Sequence, residues 1–165
     1  MARSAAVGRW LKVFGWRIRY NMQMTESQNQ RRSAVNFRVV SGAVQFFLIA
    51  GFSVVNLVFG ALNLGLVFPV GLTLLQLIAA VADGQELSVR IVLGLASLVL
   101  LGFFLLCGYF GRRGRAWAFL AGGAIYLLDA ALGMLVGDWL SALFHVFFLF
   151  YIVRGLLALR GATKS

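Results

Sequence analysis

From Val39 to Ala82 the chain runs for 44 residues without one charged side chain. Three further apolar runs follow: Ile91 to Phe110, Ala116 to Val136 and Trp139 to Leu159. A helix needs about 20 apolar residues to cross the hydrocarbon layer of a bilayer. Each later run therefore fits one crossing. The composition agrees, since 61% of the 165 residues are hydrophobic. That is more apolar surface than a globular core of this length can bury, so lipid must cover the remainder. The expected fold class is all-α, a polytopic membrane bundle of four transmembrane helices plus one re-entrant or interfacial apolar segment.

The 44-residue run decides the number of crossings. By length it holds two spans, or one span and a segment that turns back. Charge separates the alternatives, because Lys and Arg collect on the cytoplasmic side of a membrane. Basic residues cluster in the N-terminal tail, in the loop carrying Arg112, Arg113 and Arg115, and at the C-terminal end with Arg154, Arg160 and Lys164. The segment Asp83 to Arg90 holds two acids, and the turn at Gly137 and Asp138 holds no base. Putting all three basic clusters on one side demands that Val39 to Ala61 cross and that Leu62 to Ala82 turn back. Pro69, between Gly65 and Gly71, breaks a helix there. A five-span arrangement remains as the alternative. It would place the three loop arginines outside.

These limits give a basic cytoplasmic tail over residues 1–38, a bundle over 39–160 and a short cytoplasmic C-terminus over 161–165. The expected location is a bacterial inner membrane with both termini cytoplasmic. The first 38 residues lack the long apolar core of a cleavable signal peptide, so an uncleaved membrane segment is the expected signal. The net charge of +10 is accounted for by the positive-inside bias, and no nucleic-acid partner is implied.

The tail reads in two ways. Val7, Trp10, Leu11, Phe14 and Ile18 share one helical face, with Arg9, Lys12 and Arg19 off it. That is a basic amphipathic helix for a surface of anionic lipid headgroups. Over residues 16–24, however, apolar residues alternate with polar ones such as Arg17 and Arg19, the period of a strand. The helix is the favoured reading. Thr25 to Ser33 reads as a polar connector.

Candidate functional groups are few. Asp129 lies eight residues before Gly137 and His145 eight after it. In an antiparallel hairpin both then sit about 12 Å below the turn, and can meet. An acid in a bilayer costs at least about 2.5–3.5 kcal/mol unless paired, protonated or hydrated. Two readings of the pair stay open: a proton-titrating site, or a hydrogen bond that fixes the hairpin. Tyr126 is one turn before Asp129, and Gln45 and Asn56 with it could line a polar cavity or bond across helices. Ala118, Gly122 and Gly133 share its stripe and suggest a close approach of these two spans. Asp138 is placed to cap the helix beginning at Trp139, whose indole suits the headgroup layer. Gly94, Gly102 and Gly108 read as packing or kink positions. Cys107 reads as buried packing. One histidine and one cysteine provide neither a bis-His haem site nor a zinc ligand set, so no cofactor and no metal are expected. No catalytic motif occurs, and the chain is not expected to be an enzyme.

The stretch Tyr126-Leu127-Leu128-Asp129, then Gly137-Asp138-Trp139-Leu140-Ser141 and Phe144-His145, resembles a family of small uncharacterised bacterial integral membrane proteins. Ile49-Ala50-Gly51, Ser53, Asn56, Gly71-Leu72 and Gln76 are similar to it too. The resemblance covers roughly Gly42 to Gly155. It implies a bacterial inner-membrane location and no particular activity. Two functions are compatible with these residues. One is a non-enzymatic accessory or scaffold subunit, packing against other membrane subunits or itself. The other is a small transporter or channel using Asp129 and His145.

Overall fold

The structure is a computed structural model, and it describes residues 2–62, 64, 68 and 70–162. Before Met22, Trp16 is the one residue whose side chain it describes, and Arg31 is likewise left to its backbone. Five helices follow one another: α1 (Ala2–Ala61), α2 (Thr73–Ala82), α3 (Leu87–Arg112), α4 (Ala116–Leu135) and α5 (Trp139–Ala162). Four are long and apolar enough to cross a membrane, with the α1 candidate beginning at Met22, and α2 is a shorter apolar helix. The fold is the expected all-helical membrane bundle with one segment that turns back.

The chain divides into two units, residues 1–36 and residues 37–165. The described residues of the first unit, 2–36, belong to α1. Residues 16–24 are helical, so the strand alternative is not formed. Thr25 to Ser33 is not a connector either, because the helix runs through it. Its Glu, Gln and Arg residues are good helix formers, and polarity alone does not break a helix.

In the second unit α3, α4 and α5 form successive antiparallel hairpins. The α3–α4 turn closes at Gly114 and the α4–α5 turn at Gly137, both with positive φ (73° and 81°), a conformation that favours glycine. Arg112, Arg113 and Arg115 are exposed around the first turn, and the Arg113 guanidinium lies 4.3 Å from the Tyr109 ring centroid. We call this the arginine end and the Gly137 turn the far end.

Small residues bring the helices together on the arginine side. A Cβ on Gly42 of α1 would stand 2.8 Å from the Tyr151 carbonyl oxygen and 2.9 Å from Gly155 Cα of α5. Only two glycines permit that crossing. Gly122 of α4 receives the Phe46 ring and faces Cys107 Sγ, while Gly108 of α3 receives Phe47. The expected small-residue contact of α4 with α5 through Gly122 is therefore replaced by α1 and α3 side chains packed on that glycine. Gly94 and Gly102 have nothing within 4 Å of a built Cβ. They neither pack nor receive a neighbour, whereas Gly108 does. Phe46, Phe104, Phe119 and Tyr126 are fully buried and meet in tilted or edge contacts at 6.0–6.2 Å between centroids. Large apolar side chains point outward along every long helix, with Val99 at 72%, Leu128 at 71% and Leu143 at 65% exposure. This inside-out distribution is what a lipid solvent tolerates.

Candidate functional site, an intramembrane acid that caps a half-helix

α1 reaches the far end at Ala61, and the chain then doubles back along it. Hydrogen bonds to α1 fix the depth of each part of the returning segment. Asn56 donates through Nδ2 to the carbonyls of Phe68 (2.9 Å) and Val70 (3.1 Å), and its Oδ1 accepts from the Phe68 N–H (2.8 Å). One turn deeper, Ser53 Oγ accepts the Leu72 N–H at 2.8 Å while donating to Ile49 O at 2.8 Å. The segment has thus descended from Ala61 to the level of Ser53, eight residues or about 12 Å of helix. There α2 begins and runs back toward the far end for 10 residues, about 15 Å. Irregular backbone at such depth must have its polar groups satisfied by protein. Asn56 and Ser53 do this at positions 68, 70 and 72. Gly71 lies against Ser53 and Asn56 with φ 131°, where a Cβ would be 3.2 Å from Ser53 Oγ. Pro69 and Gly65, which mark this turn in the sequence, lie outside the described residues.

A helix start leaves its first N–H groups unpaired. Leu72, at the N-cap of α2, makes no side-chain cap bond. Asp129 of α4 supplies the cap instead. Its Oδ2 accepts the Thr73 N–H at 2.9 Å and its Oδ1 the Leu74 N–H at 2.7 Å. The Leu75 N–H turns back to Leu72 O at 3.2 Å. With Ser53 on the Leu72 N–H, all four amides from 72 to 75 are satisfied. The positive end of the α2 dipole faces the carboxylate, which is the favourable sense. Gly133, one turn from Asp129, lets Thr73 approach, since a Cβ there would be 3.2 Å from Thr73 Oγ1.

His145 completes the site from α5. Its Nε2 is 2.9 Å from Asp129 Oδ2, and both side chains are buried, at 0% and 2% exposure. Its Nδ1 lies 2.7 Å from Ser141 O, with Ser141 Oγ at 3.3 Å. A carbonyl only accepts, so Nδ1 carries a hydrogen and donates. The short Nε2–Oδ2 contact then holds one proton, on nitrogen or on oxygen. Both placements, imidazolium with carboxylate or imidazole with carboxylic acid, have zero net charge. This explains how an acid and a histidine coexist in a buried apolar site without an external counter-ion.

Tyr126 stacks on the imidazole, with centroids 4.5 Å apart and planes 20° apart, and meets Phe104 and Phe148 edge-on. Its hydroxyl is buried without a hydrogen-bond partner among the described residues. Gln45 belongs elsewhere. It donates to Ser41 O of its own helix at 3.0 Å, and Asn56 is fully engaged by the re-entrant segment. The three groups anticipated as one polar cavity are thus not joined by hydrogen bonds. Asp138 caps α5, accepting the Ser141 N–H at 3.0 Å, and Trp139 is 75% exposed. Among the described residues, no group of three metal-ligating side chains occurs. The side chains of Arg9, Lys12, Arg17 and Arg19 lie outside the described residues.

Ser53, Thr73 and Leu74 were not singled out as site residues by their sequence. The available signals were Ser53, a polar residue within an apolar span, and Thr73, a polar residue opening an apolar run just after Gly71. Comparison with protein-family models, curated proteins and solved structures returns no match.

Proposed function

We propose that the protein is a non-enzymatic membrane subunit, a compact scaffold that packs against other membrane proteins or its own copies. One observation carries this reading. Both Asp129 oxygens and both His145 nitrogens are engaged within the protein, holding α2 in position. Chemistry or transport would need at least one of these groups free to meet a substrate. Their saturation favours a structural role. The three basic clusters support an orientation with both termini in the cytoplasm, in a bacterial inner membrane.

The test is the mass of the particle taken from its native membrane in mild detergent or lipid nanodiscs. After the detergent or lipid is subtracted, the protein in a scaffold particle weighs well above the 18.1 kDa of one chain. A lone monomer under every such condition refutes the reading.

A second reading, a proton or small-solute path, is favoured by one fact. The unpartnered Tyr126 hydroxyl belongs to the ring stacked on His145, beside a bond that holds a single movable proton. Purified protein in liposomes with an entrapped pH indicator separates the two. Proton flux that Asp129→Asn abolishes supports the path, and an absence of flux supports the scaffold.

A further inference from the structure

We propose that Arg38 and Arg154 form a phosphate-binding site for an anionic phospholipid headgroup at the seam where α1 and α5 cross.

The seam brings the two arginines together. The Arg38 carbonyl oxygen lies 3.3 Å from a Cβ built on Gly155, the residue next to Arg154. On α5, Tyr151 faces α1, Gly155 meets both α1 and Phe119 of α4, and Ile152 and Leu159 lie against Gly123 of α4 and Gly114 in the turn before it. With about 100° between successive residues, Arg154 falls on the flank of α5 beyond Tyr151, next to α1 and turned away from α4. On α1, Ala43 and Phe47 face α3, and Phe46 faces α4. Arg38, one turn before Gly42, falls on the opposite flank. Both arginines therefore border the outer side of the same glycine crossing, and both are exposed.

Neither side chain has a hydrogen-bond or ionic partner among the described residues. The acids of residues 37–165 are elsewhere. Asp83 and Glu86 lie between α2 and α3, Asp138 lies in the far turn, and Asp129 is paired in the core. Leu159 is level with the α3–α4 turn at Gly114. Arg154, five residues earlier, starts about 7.5 Å deeper along the helix. Its chain must reach back along the seam to the headgroup layer. Two guanidinium groups at one helix crossing repel unless an anion lies between them. The forked donors of arginine match phosphate oxygens. A diacyl phospholipid fits further, because the exposed Val153 and Leu157 beside Arg154 offer its chains an apolar wall. The proposal needs only that the bundle sits in a bilayer, and it holds for a scaffold and for a transporter alike.

The test uses the full chain in detergent micelles, titrated with phosphatidylglycerol or phosphatidylcholine, with bound lipid read by native mass spectrometry. We expect phosphatidylglycerol to be retained at least tenfold more strongly than phosphatidylcholine. Arg38→Gln with Arg154→Gln lowers that retention at least tenfold, each single change lowers it several-fold, and Arg90→Gln at the far end leaves it unchanged. Arg38→Lys with Arg154→Lys keeps most of the retention, which separates lost charge from lost folding. Wild-type retention in the double Gln variant overturns the site. Displacement of the lipid by equimolar glycerol phosphate overturns the lipid assignment in favour of a free phosphate ester.

Discussion

Removing the Asp129 carboxylate should release the re-entrant segment, and the cost follows from the bonds it makes. Asp129→Ala leaves the Thr73 and Leu74 N–H groups and His145 Nε2 without an acceptor or partner. Each buried unsatisfied group costs about 1–3 kcal/mol. Breaking a buried pair from one side costs about 3–5 kcal/mol. The two figures describe overlapping losses, and partners found in the undocked state reduce both. About 3–5 kcal/mol is therefore the reasonable total. At 1.4 kcal/mol per factor of ten, the undocked population rises from about 10²-fold to several 10³-fold. Asp129→Asn is milder. Its Oδ1 can keep the Leu74 bond and its amide can donate to neutral His145, so the Thr73 N–H alone is lost. That predicts about 1–3 kcal/mol. A cysteine at Val70, which is 8% exposed in the docked segment, reports the opening through its reaction with a soluble maleimide. Cys107 is fully buried and sets the background, measured in the parent protein. Labelling should accelerate in the order parent, Asp129→Asn, Asp129→Ala. Equal rates in the parent and Asp129→Ala would show that the carboxylate does not hold α2, and the account of the site would fall.

The other expectations are smaller in scope. Ser53→Ala removes the acceptor for the Leu72 N–H and should cost about 1–3 kcal/mol, read as a lower midpoint in detergent-titrated unfolding. Gly155→Ala presses a methyl to 2.9 Å from the Phe119 ring and 3.1 Å from Gly42 Cα. It should destabilise by about 1–3 kcal/mol through overpacking. Gly102→Ala meets open space and should instead stabilise by about 0.5–1 kcal/mol. If both alanines act alike in thermal unfolding, the α1–α5 crossing is not the tight contact described. For orientation, a cysteine at Gln85 should react with an impermeant reagent added outside cells, and one at Arg113 should not. The reverse pattern would exclude the proposed sidedness.

The sequence made some of these features legible and left others silent, for physical reasons. Span number could be read because the bilayer imposes a length, and three runs match it. The return of the chain after Leu62 could be read because arginines are costly to translocate. Matched depth for Asp129 and His145 needed only their equal distances from Gly137. What pairs with Asp129 could not be read. Two of its three partners are backbone N–H groups, present at every non-proline residue, and they become distinctive only when a helix starts beside the acid. The glycines were equally opaque. In water, a helix face is recognised by contrast between apolar and polar sides. In lipid both sides are apolar, so Gly102, open to the outside, and Gly108, under Phe47, have the same sequence surroundings. Directional information survives only in the polar residues. Ser53, Asn56, Asp129, Ser141 and His145 are all buried, and together they mark the inward faces of α1, α4 and α5. The first three hold backbone of the re-entrant segment, and His145 reaches it through Asp129. The acid is therefore better understood as the missing first turn of α2 than as an isolated charge in α4. A half-helix ending at mid-depth exposes N–H groups that lipid cannot satisfy. A carboxylate on a neighbouring span answers that need, and a histidine sharing one proton makes the carboxylate tolerable there.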